Sequence, residues 1–197
     1  MPSCNHNRTI LPGCTERSSA TICINGPVSR PVIFKTKSTD MNDKQTNAKD
    51  TAFAGTAQQQ LFARYGDPRV AGWENKWMAL WHVQKTFPWF PKKSVYIHKD
   101  FAAKLQQALT VLEAKGLHQE IVSFDGCFNI RRVRGSRSVL SVHSWGAAID
   151  LNAAANPLGS PGKWSEAFLQ VMQQNGIYCG QLWQGRKDPM HFAIVNG

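Results

Sequence analysis

No apolar run in the 197 residues approaches the ~20 needed for a membrane-spanning helix, so the chain reads as soluble. Cysteine is sparse: there are five, an odd number, and none stands in a CxxC pair. That density argues against a disulfide framework and for free thiols, and Cys4, His6, Cys14 and Cys23 do not have the compact spacing of a zinc knuckle. No continuous apolar stretch follows the first basic residues, so a secretory signal peptide is not expected. Leu11-Pro12-Gly13-Cys14 lacks the preceding apolar segment of a lipoprotein cleavage site. Acidic residues are few, 13 against 23 Lys and Arg, for a formal charge of +10. Residues 1–50 carry 7 basic and 4 acidic side chains, and the remainder 16 and 9. The excess is therefore not a tail property, and it favours polyanionic partners without choosing among them.

What is present divides the chain in two. Residues 1–52 are rich in Ser, Thr, Asn, Lys and Asp with no sustained period of 2 or 3.6, which predicts a loosely ordered or disordered leader. Met41 within it is a conceivable alternative start. Residues 53–197 have the patterning of one folded domain. A helix is expected over Ala54–Tyr65, ended by Gly66-Asp67-Pro68. Trp73–Val83 fits both periods, and the prolines that follow favour a strand, continued by a second at Ser94–Ile97. Trp73, Trp77 and Trp81 are then packing residues rather than a ligand platform. Asp100 is placed as the N-cap of a helix burying Phe101, Leu105, Ala108, Leu109 and Leu112, with Gly116 as its stop. Strands are expected at Ile121–Phe124, Gly146–Leu151 and Met190–Val195, with a helix at Ser165–Gln174. Strands and helices do not alternate in βαβ fashion, so the fold class is α+β, a small mainly antiparallel sheet flanked by helices.

Two segments carry chemistry: Ser141-Val142-His143-Ser144-Trp145-Gly146-Ala147-Ala148-Ile149-Asp150-Leu151-Asn152 and Asp188-Pro189-Met190-His191-Phe192. Strand alternation sends Ala147, Ile149 and Leu151 inward and Asp150 to the other face, between small residues that leave room for an ion and a substrate. The last strand sends Met190, Phe192 and Ile194 one way and His191 the other. If the two strands are neighbours, Asp150 and His191 sit side by side, with His143 folding back from the preceding loop. Two imidazoles and one carboxylate form a catalytic zinc set that leaves a position for water. Asp188, placed just outside the strand with Pro189, is close enough to serve as a base.

These two segments, in this order, resemble the signature of the zinc D-alanyl-D-alanine carboxypeptidases and L-alanyl-D-glutamate endopeptidases, VanY-like enzymes and several phage endolysins among them. The resemblance extends to Asp125–Arg131 and to Gly176-Ile177-Tyr178-Cys179-Gly180, and covers about residue 60 to the end. It implies a single-domain zinc peptidase fold with Zn²⁺ held by His143, Asp150 and His191 and with Asp188 as base. It also implies an arginine on the substrate carbonyl, best matched by Arg131 with Arg134 in reserve, and a hydrogen-bonding role for Ser141. An Asp base suits the endopeptidase branch, whereas Cys179 stands where relatives often carry Trp. The partner so implied is the peptidoglycan stem peptide; no nucleic-acid partner and no membrane span are expected, and the protein is expected to act as a monomer. The carboxypeptidase reaction is the alternative, and a basic wall- or nucleic-acid-binding protein, built on Arg131–Arg137, is the non-enzymatic one. Without a signal peptide, the expected route is that of a lysin made in the cytoplasm and released to the wall through a separate pore.

Overall fold

A computed structural model describes residues 55–197, which lie within one unit, Lys49–Gly197. The leader, Met41 and the Cys4, His6, Cys14 and Cys23 set lie outside the described residues. Helix α1, Ala57–Tyr65, starts with a capping box: the Gln59 amide donates to Thr56 Oγ1 and the Thr56 amide to Gln59 Oε1. Its residues Ala57, Leu61 and Tyr65, spaced at i, i+4 and i+8, are buried.

The tryptophan-rich segment divides between the two periods it fits. Trp73–Trp77 is a short helix, α2, and the strand β1 begins only at Met78 and runs to Trp81. The strand expected from residue 73 is thus corrected. Gly72, at φ 81°, turns the chain into α2, and the Trp73 indole donates to the Tyr65 carbonyl at 2.7 Å. Strand β2, Val95–His98, pairs antiparallel with β1. Helix α3, Lys99–Ala114, buries all five predicted residues, but its N-cap is His98 rather than Asp100. Nδ1 of His98 accepts the Asp100 amide, while the Asp100 carboxylate accepts the Tyr65 hydroxyl.

The second sheet has four antiparallel strands in the order β3-β4-β6-β5: Phe124–Gly126, Ala148–Leu151, Asp188–Ala193 and Tyr178–Gly180. Among the described residues the fold is therefore α+β and antiparallel, with four α-helices. Helix α4, Glu166–Gln174, capped by Ser165, packs behind the sheet, with Phe168 against Phe192. Strand alternation then leaves His191 on the other side of β6.

Strand β3 starts later than Ile121 because Asn152 takes the amides a ladder would use. Its Oδ1 accepts from Val122 and Ser123 at 2.9 Å each, and its Nδ2 donates to the Glu120 carbonyl. Asn152 is also the one non-glycine described residue in the left-handed region, at φ 52°, a conformation Asn tolerates better than most. Asn152→Ala leaves two amides and a carbonyl without partners. The expected cost is about 2–4 kcal/mol of unfolding free energy, read from a denaturant titration. No change would show that water replaces the side chain.

Strand β4 starts at Ala148 rather than Gly146, because Gly146 closes a 3₁₀ turn, Val142–Trp145, at φ 60°. A β-carbon there would lie 2.5 Å from Met78 Cε and 3.1 Å from the His98 amide nitrogen. That amide donates to the Gly146 carbonyl at 3.0 Å, which joins the two sheets beside the turn.

Candidate metal centre

The 3₁₀ turn, β4 and β6 each contribute one side chain to a single point. Asp150 and His191 are direct cross-strand partners, and the turn places His143 over them. His143 Nε2 lies 3.1 Å from His191 Nδ1 and 3.3 Å from Asp150 Oδ1, and His191 Nδ1 lies 3.4 Å from the same oxygen. Both imidazoles are buried, and the carboxylate keeps a fifth of its surface.

These three atoms form a nearly equilateral triangle. Hydrogen bonds alone do not explain it, since one donor cannot serve three mutual contacts. His143 Nδ1 is 2.6 Å from the Cys127 carbonyl, which only accepts, so Nδ1 carries the proton and the Nε2 lone pair points into the triangle. Donor atoms at ~2.0–2.1 Å around a tetrahedral ion are about 3.3–3.4 Å apart. The edges, 3.1–3.4 Å, lie close to that spacing, and two nitrogens with one oxygen suit zinc better than calcium or magnesium, which prefer all-oxygen shells. Burial raises the Asp150 carboxyl, but the two adjoining imidazoles outweigh it and hold the group well below the usual carboxylate range. It is therefore anionic, as a ligand must be. Among the described residues His143, Asp150 and His191 are the group positioned to hold a metal ion.

The triangle opens into a cavity of about 670 Å³ that also reaches Arg131, Arg134, Ser141 and Asp188. All seven residues singled out from the sequence thus face one space. Asp188 is the first residue of β6, opposite Gly180, rather than outside the strand, and Pro189 is within it. A side chain at Gly180 would collide with the Asp188 carbonyl. The Pro189 carbonyl accepts from the Trp164 indole at 2.8 Å, which pins the start of the strand. Asp188 Oδ1 is buried with no hydrogen-bond partner. Burial pushes its carboxyl up, His191 pulls it down, Asp150 pushes it up, and His143 and Arg186 pull it down, with a net rise.

Arg131 begins an arm in which Ser141 donates its amide to the Arg131 carbonyl and Val133 its amide to that of Val139. Arg131, Val133 and Arg134 of this arm line the cavity. The Ser141 hydroxyl lines the cavity without a hydrogen bond to another described residue. The hydroxyl that anchors Arg131 is that of Ser144, which accepts the Arg131 amide at 3.1 Å and donates to its carbonyl at 2.9 Å. Sequence reasoning missed Ser144, although it adjoins His143, and it missed the loop between β5 and β6. That loop brings Trp183, its ring centroid 5.7 Å from that of His191, and Arg186 to the cavity. Cys127 and Cys179 are buried free thiols.

Among the described residues no helix is long and apolar enough to cross a membrane. No curated protein matches the chain. Residues 134–194, the segment holding His143, Asp150, Asp188 and His191 but not Arg131, match a peptidase family model described as D-alanyl-D-alanine carboxypeptidase. The match supports an enzyme of the peptidase class, with the metal triangle inside the matched segment.

Proposed function

We propose that the protein is a zinc peptidase that hydrolyses a bond of the peptidoglycan stem, cutting between L-Ala and D-Glu in the manner of a phage or prophage lysin. The observation that carries this reading is the triangle of His143, Asp150 and His191 with an unpartnered carboxylate, Asp188, on the same cavity. When bound there, zinc would supply Lewis acidity to a carbonyl oxygen and lower the pKa of a water.

The chain's own residues account for the rest. Asp188 takes a proton from the attacking water and returns it to the leaving amine, so the water's hydroxyl ends on the carbonyl carbon and its proton on nitrogen. Arg131, steadied at its backbone by Ser144, donates to the oxygen on which negative charge develops. Trp183 and Met190 line the cavity and limit water around the reacting atoms. The basic surface, +10 over the chain, favours residence on an anionic wall.

A second reading, removal of a terminal D-Ala, is favoured by the description of the matched family. Digestion of purified peptidoglycan with mass spectrometry of the products separates the two. New N-terminal D-Glu is the expected product, free D-Ala would establish the carboxypeptidase, and no cleavage with zinc supplied would refute both.

A further inference from the structure

The two candidate bonds share one chemical feature. In each, the residue that leaves with the new amine carries a free α-carboxylate: D-Glu because the stem continues through its γ-carboxyl, terminal D-Ala because nothing follows it. The cavity contains three arginines, Arg131, Arg134 and Arg186, and two aspartates. One aspartate, Asp150, is already held by two imidazoles, so the lining has unspent positive charge before any metal is counted.

Arg186 is placed for the leaving side. It comes from the loop between β5 and β6, at the opposite end of the strand order from the arm bearing Arg131. It stands two residues before Asp188, the group that returns the proton to the amine. The loop is fixed: Lys187 Nζ donates to the Gln181 carbonyl, and the Lys187 carbonyl accepts the Gly159 amide, both at 2.7 Å. With the Lys187 ammonium engaged there, Arg186 is the cation of this loop that faces the cavity. It makes no hydrogen bond or ion pair with another described residue. An α-carboxylate lies one carbon from its amine nitrogen, so a substrate that offers its nitrogen to Asp188 offers its carboxylate to the same wall. A guanidinium fork matches a carboxylate with two parallel hydrogen bonds.

We propose that Arg186 binds the free α-carboxylate of the leaving residue and selects peptides that carry one. The proposal rests on the peptidase reading, and its test separates the two. The probes are N-acetyl-L-alanyl-D-glutamate with the γ-carboxyl capped as the methylamide, and the same peptide with its α-carboxyl amidated. Cleavage and calorimetric binding are both measured on zinc-supplied protein.

The wild type should favour the acid over the amide by about 10- to 100-fold. Arg186→Gln should abolish that preference by raising KM for the acid, with kcat and zinc content little changed, and Arg186→Lys should recover part of it. An acid-to-amide ratio that survives Arg186→Gln overturns the assignment while leaving the peptidase intact. Should neither peptide be cut, binding of the acid that Arg186→Gln removes would sustain the subsite and sink the peptidase reading. Equal or absent binding of acid and amide by the wild type overturns the subsite.

Discussion

Asp188→Asn is expected to lower kcat by about 10²–10⁴-fold, to leave KM within a few-fold and to leave zinc content at the wild-type level. The direction follows from where the carboxylate stands. It is outside the triangle of donors, so its loss removes no ligand. It faces the same cavity with one oxygen buried and unpartnered, and burial holds its proton more tightly than in an exposed aspartate. A base of raised proton affinity is better matched to moving a proton near neutral pH. The amide of Asn keeps the shape and cannot accept that proton. Steady-state kinetics with zinc analysis on the same preparation checks this. Unchanged kcat would remove Asp188 from the chemistry, and lost zinc would make it part of the metal site.

His191→Ala is expected to have a different signature, with metal and activity failing together. Removing Nδ1 leaves His143 and Asp150 as a two-donor site. Loss of groups that merely orient a ligand costs 10- to 100-fold in metal affinity, so loss of a ligand should cost at least about 100-fold. The effect extends to stability. At a zinc concentration of ~100 times Kd the ion adds about 2.7 kcal/mol to the wild type, and the variant lacks that gain. Thermal unfolding with and without added zinc therefore shifts for the wild type and stays still for His191→Ala. A variant that retains full zinc binding would show that the ion sits elsewhere.

The metal triangle was legible because its donors lie in two short segments whose local geometry is nearly forced. Residues 148–151 and 188–193 are strands, and period-2 alternation places Asp150 and His191 on one face once the strands pair. The residues of α3 were legible for the same reason, since a 3.6-residue period repeats over four turns. Failures occurred where tertiary contacts override a short pattern. Trp73–Trp77 became helix where an indole-to-carbonyl bond fixes it on α1. Ile121–Ser123 lost its ladder to a side chain thirty residues away. His98 displaced Asp100 as a cap because its imidazole is buried among Tyr65, Trp73 and Trp77, a placement with no local sequence signal. Trp183 and Arg186 were invisible because a loop residue reaches a cavity through its anchors, here the Lys187 contacts, and not through any period.

The central claim is that His143, Asp150 and His191 hold one zinc ion. A crystal of zinc-supplied protein measured on both sides of the zinc absorption edge tests it directly. One anomalous peak within ~2.0–2.2 Å of His143 Nε2, Asp150 Oδ1 and His191 Nδ1 is predicted. A peak bound by other residues, or none in zinc-saturated protein, would contradict it.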